Sequence, residues 1–246
     1  MPTRLVRILP ALALVLFALA PALRLRAAET GAKPPALTDE EQKAGWKLLF
    51  DGVSFTGWRG LGRETVPSSW VIEKGCLKCL GGTNDWCDLV AVDKYDNFEL
   101  AFEWAFPKSK GNSGVKYRVQ EQKGQSYAFG CEYQCYSDTK KLDVHSSGAL
   151  YDIVAPSEQK MLPPGEFNQS RILVRGNHVE HWLNGTKVVD AEFGSEAVQA
   201  AFAKSHFSDH KDWGKEPLGH IVLQNHHTEV LFRNLKIRVL EKENQK

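Results

Sequence analysis

The run "NFELAFEWAF", Asn97 to Phe106, alternates so regularly that an extended backbone alone accounts for it. Phe98, Leu100, Phe102, Trp104 and Phe106 fall on one side of such a chain, and Glu99, Ala101, Glu103 and Ala105 on the other. A helix would scatter the five large side chains around its circumference. The run is therefore predicted as a strand with one face in a core. The same period recurs elsewhere. "SWVIEKGCLKCL" reads as two short strands around Lys74-Gly75. "RILVRGNHVEHWLNGTKVVDAEF" reads as three strands turned at Gly176-Asn177 and Asn184-Gly185, Asn-Gly being a strong hairpin signal. "GHIVLQNHH" and "EVLFRNLKIRVL" close the pattern. A single helix is predicted from Ser195 to Phe207, with Ser195 as cap, Glu196 at its positive end, and Val198, Ala201 and Phe202 on its apolar side. The fold class that follows is all-β, a two-sheet antiparallel sandwich or jelly roll with one short helix. Two long loops, Gln120 to Gly130 and Pro156 to Phe167, interrupt the rhythm, and long loops on a rigid sandwich are where binding usually resides.

The first 28 residues have another design. Arg4 and Arg7 precede an apolar run, Ile8 to Leu23, and the small residues Ala27 and Ala28 follow. Charged, apolar, then small is the layout of a secretory signal, and the run is shorter than the roughly 20 residues that span a bilayer. The expectation is an exported, periplasmic protein, with an uncleaved N-terminal anchor as the competing reading. Residues 29–44 read as a polar, proline-marked linker, and residues 45–242 as one domain. Residues 1–28 carry four arginines and no acid, so without them Lys and Arg fall from 31 to 27 against 30 acids, a net charge of −3 in place of +1. Such a balance gives no footing for nucleic acid or an anionic membrane surface.

In "GCEYQCYSD", Gly130 to Asp138, a strand would point Glu132 and Gln134 one way and Cys131, Tyr133 and Cys135 the other. Five cysteines (Cys76, Cys79, Cys87, Cys131 and Cys135) leave at least one unpaired in an exported chain. "CLKC" has the look of half a zinc knuckle with no second half. Zinc, one or two disulfides, and plain buried thiols all remain open.

Several stretches occur in a fixed order: "GWKLLFDGVSFTGWRG", "GNSGVKYRV", "CEYQCYSD", "SGALYDIVAPS", "GEFNQSRILVRGNHVEHWLNG" and "GHIVLQNHHTEVLFRNLKI". Together they resemble the 3-keto-disaccharide hydrolase domain family over Gly45 to Leu240. The resemblance implies a concanavalin-A-like jelly roll, and cleavage of glycosides whose sugar was first oxidised to a ketone at C3. Phe167 stands where that family usually has Trp, His227 where a Gly is common, and cysteines where aliphatic residues flank the glutamate.

A C3 ketone acidifies the C2 proton, so a base can remove it and the C1 aglycone can leave; water added afterwards gives net hydrolysis. Direct displacement at C1 by paired carboxylates is the alternative. Glu132 is the first candidate base, with His226 and His145 as further acid–base candidates. Gln134 shares the face of Glu132, and Gln224 shares that of His226, opposite Ile221 and Leu223. Lys116 and Arg118 fall on one face of "SGVKYRV" and could hold an enolate oxygen. Asp138, Asn112, Tyr151 and His181 complete the substrate-binding candidates, and Trp58, Trp86 and Trp213 are possible sugar platforms, whereas Trp104 belongs with the core. No cofactor is required by any motif. Glu132, Asp138, His145 and His226 are also compatible with a divalent metal, though no spacing identifies one. The expected partner is a carbohydrate, an oxidised glycoside. The competing function is a non-catalytic carbohydrate-binding jelly roll, since fold does not decide between them.

Overall fold

The alternating run becomes β6 (Phe98–Ala105), whose Phe98, Leu100, Phe102 and Trp104 are at most 2% exposed. The computed structural model describes residues 35–108, 110–122, 127–137 and 140–241. The secretory-signal reading of residues 1–28 and the candidate Asp138 lie outside these residues.

β6 occupies the middle of a large sheet. Its members are β1 (Lys47–Leu48), β3 (Trp70–Glu73), β4 (Cys76–Cys79), β6, β9 (Asn168–Arg175), β10 (His178–Leu183), β11 (Thr186–Glu192) and β13 (Val230–Val239), in the order β11-β10-β9-β6-β13-β4-β3 with β1 on β13. A smaller sheet contains β2 (Trp58–Gly60), β5 (Leu89–Tyr95), β7 (Asn112–Val119), β8 (Cys131–Tyr136) and β12 (Gly219–Leu223), in the order β2-β5-β12-β7-β8. All pairings are antiparallel. The inner faces of the two sheets meet in one core, so the two-sheet jelly roll stands as expected. On the outer face of the large sheet Glu99 pairs with Arg171 and Arg238, and Glu103 with Arg233. The turns follow the sequence signals: Lys74-Gly75 and Asn184-Gly185 both have positive φ at each position, as tight hairpins of this kind require.

Among the described residues two short helices are present where one was expected. α1 (Asp39–Lys43) forms within the presumed linker. Thr38 and Glu41 make a capping box, and Glu41 reaches Lys236 on β13. α2 (Glu196–Phe202) starts at its Ser195 cap but ends before Phe207. Ser205 Oγ donates to Phe202 O and accepts from Phe207 N, which turns the chain out of the helix.

A polar chain threads the core between the sheets. Trp104 Nε1 donates to Ser170 Oγ at 2.9 Å, Ser170 Oγ to the Tyr133 hydroxyl at 2.8 Å, and Tyr133 to Trp182 O at 3.2 Å. This chain pins β8. A one-residue slip would send Tyr133 outward and Glu132 into the core.

All five cysteines are buried and free, which corrects the zinc and disulfide readings. Cys131 and Cys135 both face the core, but four residues of strand hold them about 13 Å apart, beyond bridging distance. Burial pushes the thiols up, Cys79 and Cys131 to about 12, so little reactive thiolate forms.

Candidate active site

The outer face of the small sheet carries its polar residues in rows, fixed by strand register. One row runs Val90 (β5), Val222 (β12), Lys116 (β7) and Glu132 (β8). The next holds Asp88, at the start of β5, Gln224, just past β12 and with its N–H on Gly114 O, then Gly114 and Gln134. A third pairs Asn112 with Tyr136. Beyond the first row the face is closed by a small apolar cluster of Leu61, Cys87, Val90, Val119, Ala128 and Val222. The polar rows are thus confined to one end of the sheet.

Gly114 is the gap in the middle. A Cβ there would lie 2.8 Å from Glu132 Cγ and collide with Oε1, so the missing side chain is what lets the carboxyl group lie across β7. Glu132 is 5% exposed, and Lys116 Nζ stands 3.7 Å from its Oε2 while donating to Ala128 O at 2.8 Å. Burial raises the Glu132 pKa to about 7, against the pull of Lys116 and with help from the charge of Asp88. Asp88 is fully buried and accepts from Ala128 N at 2.9 Å and Asn225 N at 2.8 Å. Burial raises its pKa as well, opposed by Lys116, the two amides and His226. One lysine therefore serves two carboxyl groups, which is the arrangement that keeps a proton available near neutral pH. Among the described residues Gln224 Oε1 and Asn225 Nδ2 are buried there without partners, so this end of the face has hydrogen-bonding capacity to spare.

The structure brings together Glu132, Gln134, Lys116, Asn112, Gln224 and, beside them, Tyr151. Gln134 Nε2 donates to Asn112 Oδ1 at 3.4 Å, and Tyr151 N donates to Glu132 O at 3.0 Å. Burial, then the nearby Glu132 and Asp152 charges, raises the Tyr151 phenol. His145 does not reach Glu132. Its Nε2 meets Asp152 Oδ1 at 3.1 Å, and its ring flanks Tyr151 at 5.2 Å; His206, which sequence reasoning missed, holds the other oxygen of Asp152 from the far side. His226 is not on a strand, because β12 ends at Leu223; it sits exposed in the following turn, close enough to Asp88 to act on its charge.

Two candidates are corrected outright. Arg118 has φ +56, where the β7–β12 register shifts, and its side chain turns away from Lys116 to Gly214 O and Gly176 O. A local irregularity of that kind breaks the alternation on which its placement rested. His181 is a core residue, wholly buried. Its Nδ1–H donates to Gly148 O and its Nε2 accepts from Tyr117, each at 3.0 Å, and burial lowers its pKa to about 4, so it stays neutral.

Asp88 was missed because it precedes its strand and matches no motif; only the pairing of β5 with β12 brings it to the site. Of the possible platforms, Trp58 is core, with Nε1 donating to Leu49 O, and Trp213 lies elsewhere. Trp86 flanks the site: its Nε1 donates to Asn225 O, and it stacks on His227 at 4.9 Å and Tyr127 at 6.1 Å. The possible metal donors Glu132, His145 and His226 are not clustered. Among the described residues, the one group with three potential ligand atoms within 4.8 Å is His178, Glu180 and Asp190 on the large sheet, where Lys187 already bridges the two acids.

The Gly114 gap makes a direct prediction. Gly114→Ala is expected to displace the Glu132 carboxyl and lower turnover roughly 100-fold, the usual cost of about 1 Å of misplacement. Steady-state rates beside a thermal melt check it, and a folded, fully active variant would refute the geometry.

Residues 45–238 match the 3-keto-alpha-glucoside-1,2-lyase-like domain family. A "3-keto-disaccharide hydrolase" of Bacteroides thetaiotaomicron is 32% identical over 231 residues, covering 80% of this chain and 79% of that protein. The crystal structure of a candidate glycosyl hydrolase from Parabacteroides distasonis superposes with a TM-score of 0.76 at 33% identity, covering 85% of this chain and all of that one. A second from the same organism, 24% identical with a TM-score of 0.59, covers 79% of this chain and 99% of its own and shares the fold.

Proposed function

The chain belongs to the 3-keto-alpha-glucoside-1,2-lyase-like family, and from that premise we propose that it is a glycoside-cleaving enzyme acting on sugars already oxidised to a ketone at C3. The observation that carries the reading is Glu132, a buried carboxyl group titrating at about 7, beside Lys116 and across the bare Gly114. A base matched to neutral pH is what abstraction next to a ketone needs.

Glu132 takes the C2 proton, and the C2–H electron pair moves into the C2–C3 bond as the ketone oxygen gains negative charge. The Lys116 ammonium offsets that charge, in surroundings dry enough for the interaction to count. The enolate then collapses, the C1–oxygen bond breaks, and the aglycone leaves with a proton from Glu132 or Tyr151. Water adds at C1 of the 1,2-unsaturated 3-keto sugar while a proton returns to C2. The sum is glycoside plus water to 3-keto sugar plus alcohol. Gln134, Asn112 and Gln224 hold sugar hydroxyls, and Trp86 with Tyr127 supplies an aromatic flank for the aglycone. The N-terminal segment supports export to the periplasm, where five deeply buried thiols would resist oxidation.

Matched oxidised and unoxidised glycosides incubated in deuterated water test the reading. The expected result is cleavage of the oxidised member alone, with deuterium at C2 of the recovered sugar above a no-enzyme control. Cleavage without deuterium would point to direct displacement, turnover of unoxidised glycosides to a two-carboxylate glycosidase, and binding without product to a carbohydrate-binding domain.

A further inference from the structure

A cavity of about 660 Å³ lies apart from the Glu132 face, between α2 and the segment 211–215. Its walls are Phe193, Val198, Phe202 and Trp213, and its polar lining includes Lys211 and Lys215 but no carboxylate. Both lysines are exposed, and among the described residues neither forms an ion pair.

Beneath the cavity lies Arg118, the residue that left the active-site face. It is 4% exposed, and among the described residues it has no carboxylate partner. Its guanidinium donates to the carbonyl oxygens of Gly214, at 3.0 Å, and Gly176, and lies 4.5 Å over the Phe193 ring. Its Nε is buried and, among the described residues, unpartnered. A buried cation balanced only by carbonyl dipoles and an aromatic face is an unfinished electrostatic arrangement. Gly214 and Phe193, which it touches, are themselves walls of the cavity. Two lysines thus line an aromatic hollow of the size that takes a small molecule, with the Arg118 guanidinium buried behind its Phe193 and Gly214 wall.

We propose that this cavity is a binding site for an aromatic carboxylate, its ring against Phe193, Phe202 and Trp213 and its charge toward Lys211, Lys215 and the field of Arg118. An aryl group matches the walls, and a single anionic end matches the cationic mouth. The site stands independently of the reaction assigned to Glu132. Two hydrogen bonds join the regions: Trp213 Nε1 donates to Gly130 O, two residues before Glu132, and Arg118, two residues past Lys116 on β7, donates to Gly214 O.

Calorimetry with trans-cinnamate, and with cinnamyl alcohol as its uncharged counterpart, tests the site on the full protein. Cinnamate should bind saturably and the alcohol at least tenfold more weakly. The Lys211→Gln/Lys215→Gln double variant should lose roughly tenfold in cinnamate affinity, the size of one or two charge-assisted contacts, and leave the alcohol unchanged. Gln199→Trp, on an exposed lining position of α2, should block cinnamate while the melting temperature is kept. No saturable binding up to about 10 mM, equal binding of the alcohol, or cinnamate binding untouched by Gln199→Trp would each overturn the proposal.

Discussion

Glu132→Gln is expected to reduce turnover of a 3-keto-glucoside by roughly a thousandfold, within the range that a positioned general base contributes. The amide fills the same space over Gly114 but cannot take a proton. In the parent enzyme the rate should rise with pH through about 7, as Glu132 loses its proton, and that limb should vanish from the residual activity of the variant. Stability should respond in the opposite sense. The folded pKa of Glu132 lies above that of the free side chain, so folding favours the protonated form. Its contribution is full below about 4.5, falls as pH rises toward 7, and is gone above it. Glu132→Gln removes that dependence, and Lys116 keeps Asp88 as a counter-charge. The variant should therefore melt at or above the parent temperature at pH 8. Full activity in Glu132→Gln would remove the residue from the chemistry.

Asp88→Asn should act on both rate and fold. The carboxylate accepts two backbone N–H groups, from Ala128 and Asn225, and an asparagine has one oxygen to offer them. One amide is left unpaired in a buried place, at a cost of about 1–3 kcal/mol in unfolding free energy. The loss of negative charge also removes one of the influences raising Glu132. The rising limb of the pH–rate profile should move to lower pH, with a lower plateau because a weaker base does the work. Chemical denaturation and the profile together check this. A destabilised variant with an unmoved limb would make Asp88 purely structural.

Much of the fold was legible because strand periodicity is local. The face of Glu132 and Gln134, the inward Tyr133 and the core face of β6 all follow from side chains two apart on an extended backbone, and the Asn184-Gly185 turn from two adjacent residues that accept positive φ. The same rule failed at Arg118, where a left-handed residue and a register shift cancel alternation, and at His226, where the strand stops three residues early. No local pattern announces either event.

The sequence by itself determined the class of fold, the two faces of β8 and the family to which the chain belongs. Tertiary structure decided what stands next to Glu132. Lys116 meets it across β7–β8, Asp88 arrives through the pairing of β5 with β12, and Gly114 matters only as the strand position beneath its carboxyl group. It also decided that five cysteines pack as thiols and that Arg118 ends under a different cavity. The reason is physical: periodicity fixes which way a side chain points, whereas burial, charge balance and proton affinity depend on neighbours distant in the chain, and register alone supplies those.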